Sequence, residues 1–300
     1  MREMFDVIVI GGSYAGLSAG MALGRALRNV LVIDSGKPCN RQTPRSHNFI
    51  THDGEAPAII SKSAKEQVMR YPTVTFVNGI AVSARKLDGK FQIETANGEH
   101  FYAYKLLFTS GVRDIMPSIE GFAECWGISV LHCPYCHGYE VKNEPTGILA
   151  NGDMAFELAR LINHWTKDLA VFTNGPSNLT PERVQKIESH NIKIIETEIH
   201  GIEHDNGQVK FLHVKDGKSF ALKAIYARPV FAQHCTIHHA LGCELTEQNL
   251  LKVDAFQRTS IAGIFAAGDN STLMRSVSLA VAGGGFAGAS INKDLIEEAF

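Results

Sequence analysis

The chain has 300 residues, with 29 Lys and Arg against 31 Asp and Glu, a formal charge of −2. At 45% hydrophobic and 20% charged residues, it can bury the core of one large or two medium domains, which excludes a disordered chain. The near-zero charge and lack of a basic run exclude nucleic-acid binding by bulk electrostatics, and no apolar window reaches the roughly 18 residues of a membrane span.

Phe5–Ile10 is a continuous apolar run, the pattern of a strand buried on both faces of a parallel sheet. It is too short for a signal peptide and runs into a glycine turn, so a cytoplasmic protein is expected. Gly11-Gly12-Ser13-Tyr14-Ala15-Gly16 is that turn, Leu17–Leu27 a helix, and Val30–Ile33 a second strand ending at Asp34. A polar segment, Ser35–His52, follows. Ser61–Arg70 reads as a helix, Val74–Leu87 and Lys90–Thr95 as strands joined to the next by a hairpin signal at Asn97-Gly98, and Tyr104–Thr109 as a buried strand.

After a linker at 112–122, the βαβ pattern returns: strand Thr146–Ala150, turn Asn151-Gly152-Asp153, helix Met154–Trp165, strand Leu169–Thr173. A helix at Pro181–Ser189, a strand at Lys193–Ile199 and a hairpin pair, Ile202–His204 with Gln208–Val214, complete that region. Gly263–Asp269 is a strand ending on an acid, and Leu279–Glu298 a Gly/Ala-rich helix. The expected fold is α/β, with two Rossmann-like, three-layer ββα nucleotide-binding domains. The second, 113–225, is inserted into the first, 1–112 and 226–300.

The first turn has the chemistry of a dinucleotide site. Gly11 and Gly16 stand at the first and last glycine positions of the phosphate-binding fingerprint, and Ser13 replaces the middle one. The glycines allow a tight bend and close approach of backbone to pyrophosphate, and the helix N-terminus offers free N–H groups. Asp34, 18 residues beyond Gly16, stands where an acid can accept both ribose hydroxyls. Asp269 would hold the ribityl or pyrophosphate end of a long cofactor, which tips toward FAD, but on its own it reads equally well as an ordinary turn acid.

Six cysteines are too few for a disulfide scaffold. Cys39, Cys125, Cys235 and Cys243 show no close pairing, but Cys133 and Cys136 form a Cys-x-x-Cys. On a turn opening a helix, this spacing favours a thiolate on the first sulfur and lets the pair close into a disulfide. Other readings are a c-type haem attachment, which needs export, inert buried thiols, and a zinc site. Zinc would draw further ligands from His132, His137, Cys235, His238, His239 or Cys243. Redox exchange alone uses the flavin that the first turn indicates. His47 and the cluster His234/His238/His239 could relay protons but read more simply as residues without a role, and Trp126 and Trp165 as core or interface residues.

Ile10–Ala19, Thr109–Asp114, Cys133-Pro134-Tyr135-Cys136-His137-Gly138 and Gly263–Asp269 together resemble, in matching order over nearly the whole chain, the two-domain thioredoxin reductase branch of the pyridine nucleotide-disulfide oxidoreductases. The resemblance implies a homodimer with FAD touched by Gly11, Gly12, Ser13, Tyr14, Ala15, Gly16, Asp34, Arg41, Asn48, Gly111 and Asp269. It also implies that the backbone at Val277 and Ser278 reaches the isoalloxazine. Carried over by motif, Cys136 lies nearest the ring and Cys133 meets the substrate, a small dithiol or disulfide or a thioredoxin-like protein. Where the reductases usually carry an aspartate after the second cysteine, this chain has His137, which can take and give a proton near neutral pH. In that respect Cys-Pro-Tyr-Cys-His looks more like the bacterial and fungal dithiol oxidases.

The second turn departs from the family pattern. Ala150 replaces its first glycine, Asp153 would repel a phosphate, and no Lys or Arg follows the strand Leu169–Thr173 before Arg183. NADPH use is therefore doubtful. The expectation is an FAD-dependent thiol-disulfide oxidoreductase. The alternatives are an NADPH-dependent thioredoxin-disulfide reductase and a non-catalytic flavoprotein or metal-binding scaffold.

Overall fold

A computed structural model describes residues 4–300. The chain divides into two compact units, Met1–Arg41 with Pro57–Arg113 and Phe231–Phe300, and Gln42–Ala56 with Asp114–Val230.

In the first unit Met4–Ile10 lies between Val30–Asp34 and His100–Phe108, with Val74–Asn78 outside Val30–Asp34, all parallel. The far edge of His100–Phe108 is shared. Its first half pairs antiparallel with Lys90–Thr95, which is joined in turn to Ala81–Leu87. Its last residues pair parallel with Ile264–Ala266. The alternation of strand side chains explains the unbroken apolar run of the first strand: both faces are buried. Val7 and Val9 pack with Leu17, Leu23 and Ile291 from the helices Tyr14–Arg25 and Val277–Ala299. Ile8 and Ile10 pack with Phe91, Ile237 and Leu251.

The second unit holds a five-stranded parallel sheet in the order Lys193–Ile195, Leu169–Phe172, Thr146–Leu149, Ala224–Ala227, Val130–Leu131. The helix Gly152–Ile162 and Ile187 of Pro181–Glu188 share one core with this sheet. A three-stranded antiparallel sheet, Ile199–Asp205, Gln208–Val214 and Ser219–Ala221, shares the other. This is the expected ββα layering.

The chain folds differently from the sequence reading at several points. The strand expected over Val74–Leu87 is two strands, broken at Gly79-Ile80. Ala224–Ala227 hydrogen-bonds between two strands of the second sheet, so the units part at 230/231 rather than 225/226. Residues 42–56 join the second unit, where Gln42 Nε2 donates to the Ala123 carbonyl at 3.4 Å. Among the described residues no helix is long and apolar enough to cross a membrane.

Candidate functional site

In the first unit the glycine turn is a cradle that side chains would fill. A Cβ on Gly11, at φ +108°, would lie 2.4 Å from the Thr109 carbonyl oxygen, and one on Gly16 would lie 1.9 Å from that of Gly11. Thr109, which opens the resembling segment Thr109–Asp114 but has no role assigned from it, braces the turn by donating from Oγ1 to the Gly11 carbonyl at 2.6 Å. Ser13 caps Tyr14–Arg25 without a side-chain hydrogen bond. The first-turn N–H groups of Tyr14, Ala15 and Gly16 have no carbonyl within the helix to meet, and so can receive an anion. Asp34 Oδ1 accepts the Gly12 N–H at 3.0 Å, and the carboxylate retains acceptor capacity for ribose hydroxyls.

Gly268, at φ +87°, brings Asp269 to the same turn, since a Cβ there would meet Ala15 Cβ at 3.1 Å. Asp269 Oδ2 pairs with Arg275 Nε at 3.4 Å, a partner that sequence reasoning missed. Gly111 has φ +64°, and its carbonyl accepts the His234 N–H at 3.4 Å. Burial, then the charges of Arg113 and Arg41, hold His234 below the ordinary imidazole range. Val277 and Ser278 open the 23-residue helix Val277–Ala299, capped by Ser276, whose hydroxyl accepts the Leu279 N–H. Asn48 falls in the second unit, where its N–H donates to Asp53 Oδ1 at 2.8 Å. The crowded glycine cradle, the free helix N-terminus and the Asp34 carboxylate fit the pyrophosphate and ribose of FAD.

In the second unit Cys133 is the N-cap of Pro134–His137. The helix expected to open there is one turn long, so individual donors rather than a long dipole act on the sulfur. The Cys133 thiol is lowered to about 7. The Cys136 thiol, donating to it, is the main cause; burial opposes, and the N–H groups of Cys136 and Tyr135 and the charge of Arg228 add to the lowering. Cys136 is driven far above the ordinary thiol range, because it holds the shared proton beside a thiolate and is itself desolvated. The pair thus shares one proton, held on Cys136 beside the more acidic Cys133. Three of the other thiols differ: burial raises Cys125, Cys235 and Cys243.

His137 meets His47 edge to face, with ring centroids 6.2 Å apart. His47 Nδ1 lies 3.6 Å from Glu140 Oε1 and 3.7 Å from Asp53 Oδ1. Burial first, and His47 second, lower the His137 pKa, while Glu140 opposes. His137 is thus a neutral base at pH 7. In the sequence His47 reads as a residue without a role, because its polar segment is remote from the Cys-x-x-Cys.

The three-histidine cluster comes apart. His238 is buried beside Phe108 and His239, with ring centroids 6.1 and 4.2 Å away, while His234 belongs with Gly111. Among the described residues no group of three or more His, Cys, Asp or Glu could hold a metal.

The second turn is occupied by its own side chains. Asn151 Oδ1 accepts N–H groups of both Gly152 and Asn178 at 2.8 Å, and Asn151 Nδ2 donates to the Pro176 carbonyl at 2.9 Å. Asp153 takes Arg183, the first base beyond the strand, in an ion pair. Glu196 Oε2 accepts the Ser177 N–H at 3.2 Å, so a carboxylate stands beside this loop.

Two nucleotide-type folds, one with a glycine cradle and one with paired thiols, define a flavin-dependent disulfide oxidoreductase. Residues 5–285 match the family of the pyridine nucleotide-disulphide oxidoreductases. The chain is 32% identical to thioredoxin reductase tcpT of Claviceps purpurea, over 99% of this chain and 96% of that protein. It is 30% identical to thioredoxin reductase aclD of Aspergillus oryzae, over 97% and 96%. The crystal structure of an oxidoreductase from Agrobacterium tumefaciens superposes with a TM-score of 0.92 at 36% identity, over 99% of both chains. The chain belongs to the pyridine nucleotide-disulphide oxidoreductase family, as a thioredoxin reductase-like, FAD-dependent enzyme.

Proposed function

We propose that the enzyme exchanges electrons between a dithiol or disulfide substrate and FAD through Cys133 and Cys136, with His137 moving the proton, and that NADPH is not its principal reductant. The observation that carries this reading is the paired thiols, one held as a thiolate by the other. In the oxidising direction a substrate thiolate attacks Cys133 Sγ of the Cys133–Cys136 disulfide, and Cys136 leaves as thiolate. The second substrate thiol, its proton taken by neutral His137, attacks the substrate sulfur of the mixed disulfide. Cys133 then leaves, and the substrate departs as disulfide. Bound FAD supplies the two-electron acceptor that returns the enzyme dithiol to disulfide. The reverse sequence reduces a disulfide.

The second turn supports the reading without NADPH: the first N–H of its helix, at Gly152, the loop N–H of Asn178 and its nearest arginine are already used within the chain. The relatives' description as thioredoxin reductases favours the second reading, NADPH-dependent reduction of thioredoxin. The substrate class is a small dithiol or a thioredoxin-like protein, and a cytoplasmic homodimer accords with the family resemblance. Anaerobic stopped-flow absorbance with NADPH, NADH and dithiothreitol in parallel tests these readings. Flavin bleaching by dithiothreitol with little by either nucleotide is expected. Fast bleaching by NADPH establishes the second reading instead. Unchanged turnover in Cys136→Ser would overturn both.

A further inference from the structure

The turn that carries the two sulfurs is too short to hold itself. Pro134–His137 is a single helical turn. The His137 N–H donates to the Cys133 carbonyl at 3.2 Å and the Gly138 N–H to the Pro134 carbonyl at 2.7 Å. A helix of this length is not stable alone in water and takes its shape from what it packs against. One residue outside the motif, Trp165, just beyond the helix Gly152–Ile162, meets it twice. The Tyr135 ring, 63% exposed, stands edge on to the Trp165 ring, with centroids 5.6 Å apart. Gly138 lies against the same indole. Its φ of −67° and ψ of −29° suit any residue, so the backbone does not call for glycine there. The space does: a Cβ would lie 2.8 Å from Trp165 Nε1 and 2.5 Å from the Pro134 carbonyl oxygen. The chain leaving the turn is tied to the same place. The Trp165 carbonyl accepts the Asn143 N–H at 3.0 Å, and Thr166 Oγ1 donates to the Glu144 carbonyl at 2.9 Å.

We propose that Trp165 is a positioning residue for the redox pair: its ring, set against Tyr135 and Gly138, fixes the pitch of the single turn and with it the approach of Cys136 Sγ to Cys133 Sγ. This rests on the reading of Cys133 and Cys136 as the exchanging pair. Two residues three apart on a helix face each other, so unwinding between them parts the sulfurs. Parting them ends the hydrogen bond by which Cys136 favours the Cys133 thiolate, and slows closure of the disulfide. Trp165 takes no proton and no electron; it acts through the turn.

The flavin-loaded variants Trp165→Ala and Trp165→Phe are reduced with dithiothreitol. Alkylation of Cys133 by iodoacetamide is then followed against pH by mass spectrometry of the Cys133 peptide. In Trp165→Ala the midpoint should rise from about 7 toward the ordinary 9.0, by about one pH unit or more. Trp165→Phe keeps an aromatic ring at this place, and its midpoint should rise by less. If Trp165→Ala does not fold, Trp165→Phe decides alone: a raised midpoint supports the proposal and an unmoved one overturns it. Faster alkylation at every pH, or lost urea stability, with the midpoint unmoved also overturns it, since a merely structural residue behaves in that way. A midpoint near 7 in the unsubstituted enzyme that neither variant moves shows that only the Trp165 assignment has failed. If dithiothreitol leaves the unsubstituted flavin unbleached, the reading of the pair has failed first.

Discussion

The rings of His47 and His137 meet edge to face at 6.2 Å, and Glu140 stands 3.6 Å from the far member of that pair. The two neighbours act on His137 with opposite sign. A charged His47 discourages a second imidazolium, and the Glu140 carboxylate encourages one. His137 is neutral, and a competent base, above its lowered pKa, and is lost as a base when pH falls through it. Dithiol-dependent flavin reduction should therefore fall on an acid limb below the ordinary imidazole range. His47→Ala should move that limb to higher pH and Glu140→Gln to lower pH. His137→Ala should lower the neutral rate by about 100-fold or more. Limbs that move together in the two neighbour variants would show that His137 does not carry the proton.

The division of labour between the sulfurs gives a second expectation. Cys136 is the leading cause of the lowered Cys133 thiol. Cys136→Ser replaces a polarisable donor beside the thiolate with a smaller hydroxyl that sits farther from it. The Cys133 midpoint, read by alkylation against pH, should rise from about 7 toward the ordinary thiol value of 9.0. Cys133→Ser should leave Cys136 almost unreactive below pH 9, because burial still raises it. Equal reactivity of the two single variants would contradict the assignment.

How much of this was open to sequence reasoning depends on distance along the chain. Gly11, Gly16 and Asp34 were legible because a strand, a turn and a second strand are contiguous, and steric demand on a glycine is local. The Cys133/Cys136 pair was legible for the same reason. His47 was not, since its partner lies 90 positions on and its own segment is merely polar. The histidines at 234, 238 and 239 misled in the opposite way. Their spacing suggests one cluster, but the short helix Ile237–Ala240 turns His238 into the core and leaves His234 outside it.

The glycine cradle makes a quantitative claim about cofactor retention. In Gly16→Ala the new methyl would sit 1.9 Å from the Gly11 carbonyl oxygen, so the turn must open. Gly284→Ala acts from the other side, with its methyl 2.0 Å from the Ala15 carbonyl, forcing Val277–Ala299 away from Tyr14–Arg25. Both variants should bind flavin at least tenfold more weakly by titration of the flavin-stripped protein, a loss of about 1.4 kcal/mol of binding free energy. Gly36→Ala is the control. Its φ of +70° carries strain, but nothing lies within 4 Å, so the cofactor should be retained. Full flavin content in Gly16→Ala would remove the turn from the site.

The self-occupied second turn predicts a stability effect. Asn151 Oδ1 accepts from Gly152 and Asn178, joining the helix start to the loop beyond the next strand. Asn151→Ala removes a cap and leaves both N–H groups to water, so it should cost about 1 kcal/mol in urea denaturation. NADPH should still bleach the flavin slowly in this variant, because Asp153 remains at the helix start. Rapid bleaching in Asn151→Ala alone would mean that the cap, and not the missing charge, was what kept the nucleotide out.

His238 ties acid stability to a single buried ring. It is 1% exposed, and burial, with His239 second, lowers it to about 4 against the opposing backbone of Cys235. The unfolded chain returns it to an ordinary value of 6.5. Below 6.5 the unfolded state therefore binds a proton that the folded state refuses. The neutral ring costs nothing above 6.5. Between 6.5 and 4 stability falls by up to about 3 kcal/mol, and below 4 the folded ring charges too and the loss levels off. His238→Phe fills nearly the same space with no titrating group, and Phe108 already meets the ring edge on. Urea midpoints at pH 7.5, 5.5 and 4.5 should fall steeply in the unsubstituted protein and more gently in His238→Phe, with the two nearly equal at pH 7.5. Parallel falls in both proteins would place the acid sensitivity elsewhere, in the paired carboxylates that lose their charge over the same range.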